Sequence, residues 1–311
     1  MIIMRFEKGK SLKGLTTLGI GGKADFFIEI KTEEDLRSAL VETAGKRMAW
    51  HIIGSGSNIV ASDTGCKGAV VKIGINNFKK TGDKIYVGAG NNLLLFIKKV
   101  NKLGFGGMEK MAGIPGTVAG AIYGNAGAYG QEIKDSVSRV KIFDSEEFKW
   151  IKKGDCEFGY RTSVFKEKKD WIIVGAEFHL ATGSPSVLNK ISKDIIKLRE
   201  KKYKPGLLCP GSFFKNIIIK DLKPIVRKKL LSKIDNSKIM YGKAPAGYLL
   251  EEVGAKGMSC GGIRVAKHHG NLIYNAGGGR EKDIKNLARI LKNLVRRRFG
   301  VKLEEEVQYL T

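Results

Sequence analysis

The period of apolar and polar positions changes several times along the chain, and each change predicts an element. Ala24–Lys31 alternates as a strand; Thr32 then caps a helix, with Asp35 in the capping-box position and Leu36, Ala39 and Leu40 on the inner face. His51-Ile-Ile is a second strand, which makes a β-α-β opening. Ala69–Ile73 and Ile85–Val87 predict further strands. Asn91 or Asn92 starts a helix whose apolar side is Leu94, Leu95, Ile97 and Val100, closed by Gly104. Ser138–Phe143 and Trp171–Leu180 read as sheet, flanking Phe158-Gly-Tyr-Arg-Thr-Ser-Val-Phe-Lys166. Ser184-Pro185 opens a long amphipathic helix with Leu188, Ile191, Ile195 and Leu198 inward; its basic end, Arg199–Lys204, leads past Pro205 into a loop, and the helix reads as a connector between domains. Lys243–Glu251 begins another helix. Asp283–Arg298 is amphipathic through Ile284, Leu287, Leu291 and Leu294, with three arginines at the negative end of the dipole and Gly300 as its stop. Val301–Tyr309 alternates as a final strand: Val301, Leu303, Val307 and Tyr309 share one face, Glu304 and Glu306 the other.

Met111–Gly130 fits neither period. The segment carries no charge and six glycines, although charged residues make up 28% of the chain. Pro115, Asn125 and the scarcity of bulky aliphatics argue against a membrane span. Glycine costs backbone entropy, so six of them call for a backbone that lies close to a ligand and offers bare N–H groups to phosphates. A second glycine loop, Gly54-Ser-Gly-Ser-Asn58, follows the second strand. It lacks the third glycine of a dinucleotide fingerprint, and Ile59–Asp63 has no helical period, so a Rossmann unit is excluded while a diphosphate cradle is not.

At 311 residues the chain suits two or three domains. Arg5, Glu7, Lys8 and Lys10 interrupt any apolar leader after Met1, so a cytoplasmic protein without a membrane anchor is expected. Cys66, Cys156, Cys209 and Cys260 are scattered, which indicates neither a metal site nor a disulfide framework. The net charge of +25 invites a nucleic-acid reading, but the lysines are spread along the whole chain with no aromatic-interleaved basic ribbon. An anionic small substrate accounts for the charge equally well. From the residues alone Ser212 is a turn serine, Arg161 a surface cation, and Glu306 indistinguishable from Glu304. No histidine stands in position to activate Ser212 for hydrolysis, and a Gly-x-Ser-x-Gly elbow is absent.

The order of the motifs adds what single motifs do not. Gly54-Ser-Gly-Ser-Asn, Ile114-Pro-Gly-Thr-Val-Ala-Gly-Ala with Asn125-Ala-Gly-Ala-Tyr-Gly, Phe158-Gly-Tyr-Arg, Gly211-Ser-Phe-Phe-Lys-Asn and Leu303-Glu-Glu-Glu-Val follow one another as in the UDP-N-acetylenolpyruvoylglucosamine reductase family, which the chain resembles from about Thr17 to Tyr309. The resemblance implies an α+β protein: an FAD-binding fold of the p-cresol methylhydroxylase (PCMH)/vanillyl-alcohol-oxidase type, built of two α+β subdomains, plus a third α+β substrate-binding domain. It places the boundaries at 1–75 (plus 301–311), 76–183 and 184–300. The C-terminal strand is expected to return to the N-terminal half.

The resemblance also implies noncovalent FAD as cofactor and NADPH as co-substrate, in a reduction that completes UDP-N-acetylmuramate for peptidoglycan. Gly54, Ser55, Gly56, Ser57 and Asn58, with Ile114, Pro115, Gly116, Thr117, Gly120, Ala121, Asn125, Ala126 and Gly127, match the positions that hold FAD. Ser212 matches the proton donor, and Arg161 and Glu306 the pair that polarises the enolpyruvyl group. Lys215 is a candidate cation to assist the serine. Asn216, Lys256 and His269, and more loosely Lys202 or Lys204, match contacts to the nucleotide sugar. No metal and no nucleic-acid or membrane partner is implied, and a monomer is expected. Ile217 stands where the family has proline, and the loop before Gly211 is short. No insertion precedes Ser184 that could carry a tyrosine lid, so the chain resembles the shorter, lidless form. An FAD oxidase of the same fold would share the two glycine loops but has no need of the Ser212 and Glu306 motifs.

Overall fold

Residues 6–311 are described by a computed structural model, in which the N-terminal strand pattern becomes a four-stranded sheet ordered Glu7–Ser11, Lys23–Ile30, Cys66–Ile73, Trp50–Ile53. Trp50–Ile53 runs parallel to its neighbour, with Trp50 opposite Ala69 and Ile53 opposite Lys72. Helix α1 (Glu33–Gly45) connects Lys23–Ile30 to Trp50–Ile53. Its capping box forms as expected: Thr32 accepts from the Asp35 N–H while the Asp35 carboxylate accepts from Thr32 N–H. A five-stranded antiparallel sheet follows, ordered Phe148–Lys152, Val137–Phe143, Ile172–His179, Lys84–Gly88, Phe78–Thr81. The two outer strands, Phe78–Thr81 and Phe148–Lys152, were not expected from the sequence; both are short and rich in lysine, which suits sheet edges.

Helices α2 (Leu93–Lys102), α3 (Val118–Tyr123) and α4 (Pro185–Lys202) pack with these sheets around one core that runs from Ile28 through Phe96, Val118 and Val140 to Phe178. The inner face of α2 differs from the expected one. Asn92 is the cap, Leu93, Phe96, Ile97 and Val100 are buried, and Leu95 is 65% exposed. On α4, Leu188 is buried as expected, but Leu198 is 47% exposed and the second buried position is Ser192, which accepts a hydrogen bond from Asn101 and donates to the Glu109 carbonyl. Ala24–Gly56 and Lys67–Lys201, with the described residues up to Lys10, form this first compact unit. Both sheets lie within it.

The second unit comprises Ser11–Lys23, Ser57–Cys66 and Lys202–Thr311. Its core gathers Phe213, Phe214, Leu249, Leu250 and the inner face of the C-terminal helix. Helix α5 (Pro224–Leu231) carries proline at its start, and α6 (Ala246–Glu252) forms in the Lys243–Glu251 segment but starts only after Pro245, because Lys243–Ala244 pairs as a strand with Ile217–Ile218. Helix α7 (Glu281–Phe299) buries Ile284, Leu287, Leu291 and Val295 and ends on Gly300 at φ 78°. Gln308–Leu310 pairs in parallel with Ile59–Ala61, so the C-terminus does return to a segment of the N-terminal half. From 301 to 307 the expected alternation of burial holds, with Val301, Leu303 and Val307 inside, but there is no strand ladder. Those backbone groups bond to the Ser212 loop instead: Lys215 N–H to Glu304 C=O at 2.9 Å and Glu306 N–H to Phe213 C=O at 2.8 Å.

Candidate functional site

In the first unit the two glycine stretches meet. Gly54, at the end of Trp50–Ile53, lies so close to Thr117 that a Cβ there would stand 2.6 Å from its hydroxyl. That hydroxyl caps the start of α3 by accepting from Gly120 N–H at 3.2 Å. Ala121 is buried; Ile114 and Ala126 are partly buried and pack on the core; Ser55, Pro115 and Gly120 face outward. Gly120 is instructive. A Cβ there would meet nothing in the protein nearer than Thr117 Oγ1 at 3.4 Å, and its φ is not in the left-handed region. Glycine inside a helix costs about 1 kcal/mol relative to alanine, so the protein's own packing gives no reason for it. An uncharged, outward-facing backbone without a side chain fits the close approach of a cofactor diphosphate.

Asn125 closes the same segment from within. It is fully buried at φ 41°, its amide donating to Glu132 at 3.1 Å and to Gly159 C=O at 2.8 Å while its Oδ1 accepts from Lys134 N–H. The side chain therefore shapes the loop rather than reaching outward. Arg161 is aimed by that loop. Its guanidinium donates to the carbonyls of Gly127 at 2.6 Å and Asn125 at 3.3 Å, and its own carbonyl accepts from Lys166 at 2.8 Å. Its φ of 55° is left-handed, a strained state for a side-chain-bearing residue that persists only when its surroundings fix it.

In the second unit Ser212 stands on a loop stitched on both sides. Phe213 and Phe214 are buried in edge-to-face contact, with ring centres 5.0 Å apart. Asn271, which no sequence signal singled out, clamps Phe214: its Oδ1 accepts from the Phe214 N–H at 2.8 Å and its Nδ2 donates to the Phe214 C=O at 2.8 Å. On the other side Glu306 N–H bonds to Phe213, so Ser212 and Glu306, 94 positions apart in numbering, flank one residue. Asn58 joins the group by donating to the Glu306 C=O at 3.0 Å, and the Ser57 carbonyl lies 3.4 Å from the Thr17 hydroxyl. Lys215, the expected helper, is ion-paired with Glu304 at 3.3 Å. The side chain that meets Ser212 is Tyr203, whose hydroxyl is 2.9 Å from the serine Oγ.

The residues expected to contact the substrate belong to the same second unit. Asn216 Oδ1 accepts from Ala246 N–H at 3.1 Å at the start of α6, a task Pro245 cannot perform there. Lys256 pairs with Glu251 at 2.7 Å, and Glu251 also accepts from Gly270 N–H at 3.0 Å. His269 lies against α6, where Gly247 makes room: a Cβ there would stand 2.7 Å from the imidazole. Its Nδ1 accepts from Asn271 N–H at 3.0 Å, which leaves the proton on Nε2. Burial, then the charge of Lys202, pushes its pKa down to about 4, so the ring is a neutral donor at pH 7. Lys202 itself offers its carbonyl to His268 Nε2 at 2.9 Å. A separate groove of about 450 Å³ runs along α7, lined by Lys285, Arg289, Lys292 and Arg296 with Glu305 and Tyr309, and contains none of the expected site residues. Among the described residues no cluster of metal ligands occurs, and no helix is long and apolar enough to cross a membrane.

Comparison with known proteins identifies the family. Residues 24–147 match an FAD binding domain, and residues 204–310 match the C-terminal domain of UDP-N-acetylenolpyruvoylglucosamine reductase. The UDP-N-acetylenolpyruvoylglucosamine reductase of Solibacter usitatus is 42% identical over 95% of this chain and 93% of its own length. That of Carboxydothermus hydrogenoformans is 36% identical over 95% of this chain and 90% of its own. Among solved structures, the reductase of the same name from Thermus caldophilus superposes with a TM-score of 0.78 at 27% identity, covering 99% of this chain and 100% of that one.

Proposed function

Because the chain belongs to the UDP-N-acetylenolpyruvoylglucosamine reductase family, we propose that Arg161, Ser212 and Glu306 carry its chemistry and that its two glycine loops hold its cofactor. The protein is an FAD-dependent reductase of peptidoglycan synthesis. The first unit, with its two sheets, supplies the cofactor subdomains; the third domain of the family corresponds to the second unit. Gly54–Asn58, Ile114, Pro115, Gly116, Thr117 and Gly120 offer backbone to the FAD diphosphate, while Ala121, Asn125, Ala126 and Gly127 hold that backbone in shape. FAD held there would supply the hydride chemistry of the reduction, with NADPH as co-substrate and C3 of the enolpyruvyl ether as the acceptor.

Charge then builds on the substrate carboxylate. A guanidinium already fixed by Asn125 and Gly127 stabilises it without reorganising in the transition state. Glu306 is the second group that polarises the enolpyruvyl unit. Ser212 delivers a proton to C2, a general-acid step typically worth roughly 10²–10⁴-fold. Asn216, Lys256, His269 and Lys202 contact the nucleotide sugar, His269 as the neutral Nε2–H donor described above. The observation that supports this reading is the stitching of the Ser212 loop to Asn271 on one side and to the main chain of Glu306 on the other, which holds a turn serine beside the segment that bears Glu306. We place the enzyme in the cytoplasm as a monomer. Anaerobic NADPH is expected to bleach the flavin band at about 450 nm, and UDP-N-acetylenolpyruvoylglucosamine to restore it. A band that NADPH bleaches and the sugar nucleotide leaves bleached removes the substrate assignment.

A further inference from the structure

An alkyl hydroxyl is a poor acid. Its acidity is close to that of water, with a pKa of about 15.7, so a serine that gives up a proton needs a partner able to stabilise or refill its oxygen. The cation expected beside Ser212 is held by Glu304. What touches the serine Oγ is the Tyr203 hydroxyl, at 2.9 Å. A phenol, with a pKa of about 10, is the stronger acid of the two by several orders of magnitude. The Tyr203 ring also carries a cation beside it, Lys202 Nζ at 4.9 Å from the ring centre. Both hydroxyls are only partly buried, so the phenol can exchange protons with water.

We infer that Tyr203 is the positioning residue of Ser212 and the source that reprotonates it. The phenol O–H donates to Ser212 Oγ, which turns the serine hydrogen away from the tyrosine and toward the substrate. As the Ser212 O–H bond breaks and the C2–H bond forms, the phenol O–H breaks and the serine O–H forms again. The charge ends on the phenolate beside Lys202, and solvent returns one proton before the next turnover. No oxidant or reductant beyond those of the established reaction enters. The inference rests on the reading of Ser212 as proton donor.

The test uses the FAD-loaded enzyme and the Tyr203→Phe, Ser212→Ala and double variants. Phenylalanine keeps the ring and removes only the hydroxyl, and FAD content with thermal unfolding checks that each variant is folded. Tyr203→Phe is expected to slow flavin reoxidation by UDP-N-acetylenolpyruvoylglucosamine about tenfold to a hundredfold while leaving reduction by NADPH and the substrate's binding unchanged. In the Ser212→Ala background the second substitution should cost nothing more. Independently of turnover, the Tyr203 signal in protein carrying ¹³Cζ-tyrosine, assigned by its loss in Tyr203→Phe, should move in Ser212→Ala. If Ser212→Ala slows reoxidation and Tyr203→Phe does not, or slows it just as much in the Ser212→Ala background, the tyrosine inference is wrong and the serine reading stands. If neither slows it, the serine reading falls first.

Discussion

Asn58 donates its side-chain amide to the main-chain carbonyl of Glu306 at 3.0 Å, across 248 positions of sequence. The loop proposed as a phosphate cradle therefore ends by holding the segment that bears the proposed carboxylate. Asn58→Ala removes one partly buried bond, so it is expected to cost about 1 kcal/mol in urea unfolding. Its larger effect should be kinetic: flavin reoxidation slowed with FAD content retained. If the FAD is lost and reoxidation of the remaining loaded fraction is normal, Asn58 serves the cofactor alone.

Asn271 is the corresponding clamp on the serine side. Both ends of its amide bond to the backbone of one buried residue, Phe214. Leucine at this position would fill similar space and leave an N–H and a C=O without partners, each worth about 1–3 kcal/mol when buried. Asn271→Leu should lower stability by roughly 2–6 kcal/mol. Equilibrium denaturation measures this; a loss below about 1 kcal/mol means that water or the loop replaces the clamp.

These two asparagines show where sequence reading reaches its limit. Local chemistry was legible: Thr32 with Asp35, Asn92, and Gly300 lie where capping rules put them. Faces were less so. Leu93-Leu-Leu-Phe-Ile97 is apolar at every position, so the sequence does not choose a side of α2; the core chooses Leu93 and Phe96 and leaves Leu95 out. In α4 a hydrophobic stripe cannot reveal that Ser192 is inside, because its burial depends on Asn101 and Glu109, far away in the chain. The site divides in the same way. Arg161, Ser212 and Glu306 were named through the order of motifs, but Asn271 and Tyr203 act only through contacts that no spacing encodes. The second-unit cluster draws on Asn58, Tyr203, Ser212, Asn271 and Glu306 from four separate stretches of chain.

Gly120→Val separates cofactor binding from folding. Outside the helix's own backbone, a Cβ here meets its nearest atom, Thr117 Oγ1, at an ordinary contact distance of 3.4 Å, so the variant should fold. Gly116, at φ 135°, does not give this separation, since any side chain there is strained. Purified Gly120→Val is expected to show native circular dichroism and little absorbance at about 450 nm. Full FAD occupancy would place the diphosphate elsewhere.

Covalent attachment of FAD is not expected, since neither glycine loop contains a histidine or cysteine, and Cys66 is buried with its thiol at the Thr311 carbonyl. Acid precipitation should leave the yellow colour in the supernatant. A coloured pellet would overturn this.

The neutral state of His269 makes stability depend on pH. Its folded pKa is about 4, against about 6.5 for an unfolded histidine. Between these values the unfolded chain binds a proton that the native state refuses, so stability is full above pH 6.5 and falls as the pH drops toward 4. The loss should be roughly 1–3 kcal/mol after allowance for partial solvent contact. His269→Gln keeps a donor without the titration, and should flatten this part of the acid limb in denaturant unfolding followed from pH 7 to 4. An unchanged slope means that the histidine titrates normally in the folded state.

Ser212→Ala should divide the catalytic cycle at the point where the serine acts. Reduction of the flavin by NADPH requires no proton from Ser212, so it should proceed near the wild-type rate. Reoxidation by UDP-N-acetylenolpyruvoylglucosamine requires the proton at C2 and should slow by orders of magnitude; a loss of about 10³-fold equals roughly 4 kcal/mol of transition-state stabilisation. No turn serine contributes that much through folding, and this loop is held by Phe213, Phe214 and Asn271 rather than by the hydroxyl. Binding of the sugar nucleotide, read as a perturbation of the flavin spectrum, should change little because only a small hydroxyl is removed. Stopped-flow absorbance follows both halves on one sample. Equal slowing of both would mean that the serine positions the cofactor rather than delivering a proton, and no slowing of either would take Ser212 out of the mechanism and Tyr203 with it.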